Sequence, residues 1–468
     1  MKPKKLPMSK YRGHKQHEIE HSCDMVDRIS NLPDCILHQI LSFMPTKEVV
    51  KTSVLSTRWK NLWAYVPNIE IDDAVLYPRE IDDKHPSKVT SFMNFVERVL
   101  RMRDASNLEK FSLRCRISSD ASQIKLWISD AISHNVRELD LCIVDMILPV
   151  IPRSMFHSMS LTILKLEIEW IEVPSDVSFS CLKNVHLDYV GFLNDGDAER
   201  LFSGCPVLEK LVLAYCQWIH LDNILISSPT LKSLTIFDDS DFEPEDDDIG
   251  CKIKIIAANL TSFEYIGHLS NEILLSDIPS LVRAYIHISL PEERQNEVTC
   301  RAVDLLKQLR NVMALGLSNV TMESLIFTDM PLHLPVFPNL INLTLTKEIE
   351  NYTFGAVMNL LYFCPNLQFF GLSEGFEHSM DLGEEDRIWL LVPICMSNCL
   401  KIVTFKNFHA TDSEICFLKR VLKYATVLER MNICWSKTQV GDRKKETDVI
   451  KEFDKIESSS AAFVVRFT

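Results

Sequence analysis

A chain of 468 residues exceeds what one hydrophobic core usually serves, so several domains or a stacked repeat array are expected. Hydrophobic residues make up 46% and glycines number only 12, which excludes a largely disordered or low-complexity chain. With 64 acidic and 50 basic residues the net charge is −14, a surface that phosphate backbones repel, so proteins rather than nucleic acids are the expected partners.

Residues 1–24 read as a disordered basic tail. Lys2, Lys4, Lys5, Lys10, Arg12 and Lys15 occur there without the apolar stretch of a secretory signal, and they suit nuclear import. No apolar run in the chain approaches the roughly 18 residues of a membrane span. The expected location is cytoplasmic, nuclear or both, with no membrane partner, and the 14 cysteines are expected to be reduced, mostly buried thiols. On the same ground the Asn-x-Thr sequences at Asn259, Asn319, Asn342 and Asn351 read as accidental.

Residues 25–72 carry three short helical patterns. Pro33 suits a first helical turn, where its missing N–H costs nothing, and Asp34 complements the helix dipole. Ile36, Leu37, Ile40, Leu41 and Met44 then recur at helical spacing until Pro45. Thr46 is the expected N-cap of a second helix with Val49, Val50 and Val54; Ser56 would cap a third with Trp59, Leu62 and Trp63 on one face. A module of about 45 residues cannot enclose all these apolar side chains, so some are expected to pack on another protein.

Beyond this module a hydrophobic triplet, L-x-x-L-x-L, recurs. It appears as LEKFSL from Leu108, VRELDL from Val136, LTILKL from Leu161, CLKNVHL around Leu182, LEKLVL from Leu208, LKSLTI from Leu231 and LTSFEY from Leu260. LVRAYI from Leu281, VMALGL from Val312, LINLTL from Leu340, LQFFGL from Leu367, LKIVTF from Leu400 and LERMNI from Leu428 complete the series. The spacing of roughly 21 to 33 residues is that of leucine-rich repeats. In each unit the last two apolar positions alternate along a short strand and point inward, the residue between them outward. A single unit cannot bury its apolar face. The stack predicts a continuous parallel sheet backed by helical or irregular return segments, such as 197–206 and 354–365. The Asn or Cys that ordinarily closes such a strand is present only at Cys216, with Val144, Glu169, Val190 and Asp239 in equivalent places. The turns must therefore satisfy their backbone by other means.

The order LPD-x-x-L-x-x-I-L-x-x-M-P from Leu32, followed by KEVVKTSVLSTRWKNLW, resembles a plant-type F-box from end to end. The resemblance implies that Leu32, Pro33, Ile36, Ile40, Leu41, Val49 and Val50 face a SKP-type adaptor, which bridges to a cullin scaffold. Leu55, Ser56, Arg58 and Trp59 match the family's LS-x-RW signature, with Leu55 on the adaptor surface and Trp59 partly core, partly interface. The Cys-Pro lead-ins at Cys205-Pro206 and Cys364-Pro365 resemble the repeats of the same proteins. From about Ile388 the text resembles their FBD region, through Val392-Pro393, Cys399-Leu400-Lys401, Glu414, residues 417–422 and Val427-Leu428-Glu429. The expected fold is α/β: a three-helix F-box at 25–72, then a curved leucine-rich-repeat solenoid at 73–387 with its parallel sheet on the concave face. An FBD region at 388–468, strand, amphipathic helix and strand, caps the open end. The function implied is the substrate-recognition subunit of an SCF-type ubiquitin ligase, which holds an unidentified target protein through the repeats.

Other features point away from chemistry. Residues 238–248 crowd eight carboxylates and read as a solvated loop, and Cys395 and Cys399 lack a second pair, so no metal is expected. Gly-rich phosphate loops, G-x-S-x-G and H-E-x-x-H are absent. No cofactor is expected, and the chain reads as a non-enzyme that acts by proximity. Two other readings are a small-molecule-sensing F-box receptor and a repeat scaffold with a vestigial F-box. The outward positions Lys165, Glu167, His186, Asp188, Glu264 and Tyr285 lack the Arg and Lys cluster that an inositol phosphate needs, which weakens the first. Adaptor binding separates the second. Phe237, Ile266, Tyr285 and His287, outward on neighbouring strands where most repeats offer small or polar residues, form the expected target-recognition patch.

Overall fold

A computed structural model describes residues 29, 31–76, 86–104, 108–116, 120–144, 150–218, 221–238, 250–289, 295–318, 321–322, 325, 334–346, 354–373, 392–436, 449–451, 460 and 464–468. The basic tail, and the acidic run beyond Asp238, lie outside these residues.

At the N-terminus, α1 (Asp34–Leu41) and α2 (Thr46–Lys51) are followed by 3-10 helices at Thr52–Val54 and Leu62–Tyr65. Strands then dominate. They are β1 (Asn68–Asp72), β2 (Lys110–Cys115), β3 (Glu138–Ile143), β4 (Ile163–Ile168), β5 (Trp170–Ile171), β6 (Asn184–Asp188) and β7 (Gly191–Phe192). Next come β8 (Lys210–Ala214), β9 (Asn223–Ser227), β10 (Ser233–Asp238), β11 (Lys252–Ile256), β12 (Ser262–Gly267), β13 (Glu272–Ser276) and β14 (Arg283–Ile288). β15 (Ala314–Ser318), β16 (Asn342–Thr346), β17 (Phe369–Leu372), β18 (Ile402–Phe408), β19 (Arg430–Trp435) and β20 (Val464–Phe467) complete the set.

One 15-stranded sheet runs β1-β2-β3-β4-β6-β8-β10-β12-β14-β15-β16-β17-β18-β19-β20. Its neighbours pair in parallel, and each of the recurring triplets ends on one of its strands. The alternation is as expected. Leu211, Leu234, Phe263 and Ala284 share one register row and Leu213, Ile236, Tyr265 and Ile286 another, all buried. Between them Val212, Thr235, Glu264 and Tyr285 point the other way. The buried rows merge with the return segments into one continuous core, as stacked repeats require.

Helices return the chain at Ala121–Ser133, Asp195–Ser203, Gln295–Gln308, Phe354–Tyr362 and Asp412–Tyr424. In the middle repeats strands do so instead: β13-β11-β9 form a second, three-stranded parallel sheet. Their segments, NILIS, KIKII and EILLS, alternate buried and more exposed positions with a period of two, which suits a half-buried strand and not a helix. The expectation of helical or irregular return segments fails there.

The strand ends replace the missing Asn with several devices. Cys216 Sγ lies 3.8 Å from the Leu187 carbonyl, and burial pushes its thiol up to about 12, which keeps it a donor. Thr321 Oγ1 accepts from Ile288 N at 2.7 Å. Asp238 accepts from Tyr265 Oη at 2.6 Å and from Ser270 N at 3.2 Å.

Three expectations for the N-terminal module need correction. Thr46 is not an N-cap: Pro45 precedes α2, and the Thr46 hydroxyl accepts from Glu70 N at 2.7 Å. Ser56 starts no third helix; turns lead to the 3-10 helix Leu62–Tyr65. Trp59 and Leu62, both in the core, have the i, i+3 spacing that a 3-10 turn eclipses. The module also does not stop short of the solenoid. Its last residues are β1, the first strand of the large sheet, and Asn68 Nδ2 donates to Ser42 O at 3.2 Å. At the other end β20 pairs with β19 as the outermost strand.

Candidate functional site

Two surfaces qualify. The first is on the N-terminal module, whose own core is Leu37, Leu41, Val49, Trp59, Leu62 and Val66. Leu37 and Leu41 occupy the inner face of α1, so Ile36 and Ile40, four residues apart, share the outer face. Arg58 fixes the lead-in: its guanidinium donates to the Leu32 carbonyl and, at 2.6 Å, to Asp34 Oδ1. That double contact ties the Leu32-Pro33 step to the turn before Trp59.

The residues expected to face an adaptor therefore separate. Pro33, Ile36, Ile40 and Leu55 are exposed, the last by 66%. Leu41 and Val49 are corrected to core, and Trp59, expected to be partly core and partly interface, is buried with them, because a module this small needs most of its large apolar side chains to fill its centre. Leu32 packs half-buried against that core, whereas Val50 packs against the solenoid. Two large exposed side chains went unassigned: Phe43, 83% exposed, and Val54, 85% exposed. Their signal was present: Phe43 is an apolar position just outside the first helical pattern, and Val54 was read as part of the second helix and not as adaptor-facing.

The second surface is the outward face of the sheet. Phe237, Ile266 and His287 are register partners on β10, β12 and β14, with Tyr285 in the adjacent row. Phe237 and Ile266 are half-buried. His287 is a correction: it is only 4% exposed, and its Nε2 lies 3.1 Å from Ser289 Oγ, so its ring turns toward the chain leaving β14. Tyr285 lies across β15, its hydroxyl 3.0 Å from Thr346 Oγ1. Of the expected patch, Phe237 and Ile266 stay partly exposed, with Tyr285 engaged within the sheet.

An aromatic row extends it in a direction that periodicity missed. Tyr189 and Tyr215 each follow the last residue of β6 and β8, with φ of 54° and 52°, and their rings stack at 4.9 Å. Tyr215 then meets Phe237 at 6.3 Å. A tyrosine one residue past two successive strands was the available signal. Among the described residues no group of three or more His, Cys, Asp or Glu could hold a metal ion, and no helix is long and apolar enough to cross a membrane.

Comparison with known proteins covers both regions of the chain. Residues 29–70 match the F-box domain family, and residues 99–465 match the family described as At1g61320/AtMIF1, LRR domain. The chain is 32% identical over 455 residues to "Putative F-box protein At1g58310" of Arabidopsis thaliana, covering 86% of this chain and 87% of that protein. It is 34% identical over 368 residues to "F-box/LRR-repeat protein At3g59200" from the same plant, covering 73% and 68%. It is also 31% identical over 443 residues to "Putative F-box/FBD/LRR-repeat protein At3g59240", covering 91% and 81%. An apolar N-terminal module, a sheet of stacked leucine-rich repeats and these likenesses agree: the chain belongs to the plant F-box/leucine-rich-repeat family.

Proposed function

We propose that this chain is the substrate-recognition subunit of an SCF-type ubiquitin ligase. The F-box binds a SKP-type adaptor and, through it, a cullin scaffold; the repeats hold the target protein. The observation that carries the reading is the surplus of exposed apolar side chains on a module that already has a filled core. Among the described residues Ile36, Ile40, Phe43, Val54 and Leu55 remain exposed. Exposed apolar groups of this size mark partner surfaces. The residues proposed for the adaptor are therefore Pro33, Ile36, Ile40 and Leu55 with Phe43 and Val54, while Leu41, Val49 and Trp59 set their positions from below. Phe237 and Ile266 are proposed to contact the target.

The chain contributes no chemistry in this account. It raises the effective concentration of a target lysine near the charged conjugating enzyme. The unit of β18, the helix Asp412–Tyr424 and β19 is proposed as the FBD region, serving as a terminal repeat. Its helix begins in a capping box of Thr411 and Glu414.

Substrate trapping tests the reading. Deleting the F-box would strip β1 from the sheet, so Phe43→Asp with Val54→Asp is the cleaner way to disable it. Proteins that co-purify with both forms under proteasome blockade, and accumulate in cells only with the double variant, are the targets. If no protein accumulates while the adaptor is lost, the receptor function is wrong.

A further inference from the structure

The sheet's outward face holds a charged site beside the aromatic row. Glu167 and Asp188 are register partners on β4 and β6, so their backbones are separated by about 4.8 Å. Glu167 lies beside Cys142, its register partner on β3. Asp188 has no hydrogen-bond or ion-pair partner among the described residues, and its Oδ1 is enclosed without a donor. Burial, and then the Glu167 charge, push its carboxyl above the ordinary aspartate range, opposed by His186 two residues back on the same strand. A cation placed there would relieve that repulsion.

Beside this pair the row continues with Ala214, whose small side chain leaves a step before Phe237. Tyr189 directly follows Asp188 and is 46% exposed, and its stack with Tyr215 is nearly parallel, 21° between planes. Both tyrosines hold left-handed backbone, a conformation uncommon for bulky residues, at the same place in two successive repeats. Two carboxylates next to an exposed ring face match one side-chain chemistry. A guanidinium is planar, stays charged, pairs with carboxylates through its fork and stacks on aromatic rings; an ammonium offers only the charge. The chain's net charge of −14 favours basic segments in the same direction.

We propose that Glu167, Asp188 and the Tyr189–Tyr215 stack form a specificity pocket for an arginine side chain in the recognition segment of the target protein. The inference rests on the substrate-receptor reading and gives the target's recognition segment a required basic residue.

The test uses the full chain and two fluorescent nonapeptide libraries, random except for a fixed central residue, arginine in one and citrulline in the other. Citrulline keeps the shape and removes the charge. The arginine library is retained at least about tenfold more strongly, the scale of one good charged contact. Asp188→Asn, which is isosteric, brings the two libraries to parity while adaptor affinity and melting temperature stay unchanged. Tyr189→Asn, a residue that tolerates left-handed backbone, lowers the preference too and decides the matter if Asp188→Asn melts early. Equal retention by the native chain, or a preference that survives both substitutions, overturns the pocket. Adaptor affinity on the same preparations keeps the two claims apart. An intact arginine preference without adaptor binding sinks the receptor reading alone, and adaptor binding without the preference sinks the pocket alone.

Discussion

Gly316→Ala, paired with Tyr285→Ala, tests how the outward face of the sheet is packed. A Cβ on Gly316 would fall 2.6 Å from Tyr285 Cδ2, so the ring lies where that methyl group would sit. Adding the methyl must lift the ring from β15 and break its hydroxyl contact with Thr346. The lost hydrogen bond is worth about 0.5–1.5 kcal/mol. Overpacking adds about 1–3 kcal/mol. Replacing a strand glycine returns about 0.5–1 kcal/mol, which leaves a net loss of about 0.5–4 kcal/mol. In a Tyr285→Ala background the clash is gone, so the same substitution becomes neutral or mildly stabilising. A double-mutant cycle, read by urea denaturation followed by far-UV circular dichroism, should give a coupling of about 2 kcal/mol. Additive losses would refute the packing and return Tyr285 to the surface as a free anchor.

Three further outcomes follow from the same geometry. Leu41→Ala should destabilise the chain by about 2–5 kcal/mol, whereas Phe43→Ala should leave melting unchanged and weaken adaptor binding by about 2 kcal/mol, the scale of interface hot spots; calorimetric melting and titration separate them. Tyr265→Phe should cost about 1–3 kcal/mol in denaturation, because half-buried Asp238 loses its hydroxyl donor. Burial holds the Glu414 carboxyl above its usual range; a folded value raised over the unfolded one, about 4.3, gives stability that is full below that value and is lost as pH rises through the folded one. Denaturation between pH 4 and 7 should therefore show Glu414→Gln gaining stability relative to the native chain as pH rises.

The large sheet was legible because each of its inner strands buries two rows, and that demand writes the same triplet into those repeats. The outward row was legible with it, since Thr235, Glu264 and Tyr285 sit between buried neighbours whatever the curvature. β1 and β20 were not, because an edge repeat needs only part of the pattern: NIEID and VVRF carry it without the leading leucine. The exposed set proposed for the adaptor was half legible. Helical spacing groups Ile36, Leu37, Ile40 and Leu41 together, but only the packing of Trp59 and Leu62 decides that Leu37 and Leu41 face in and the isoleucines out. His287 occupied the right row yet is buried, because periodicity fixes which way a side chain leaves the strand and not what lies over it.

The central claim is that the N-terminal module couples this chain to a SKP-type adaptor. Isothermal titration of the intact chain with a panel of such adaptors tests it most directly. The account predicts saturable binding to at least one adaptor, abolished by Phe43→Asp with Val54→Asp while the melting temperature stays within a degree or so, about what surface substitutions cause. No heat of binding with any adaptor, or full binding by the double variant, would contradict it.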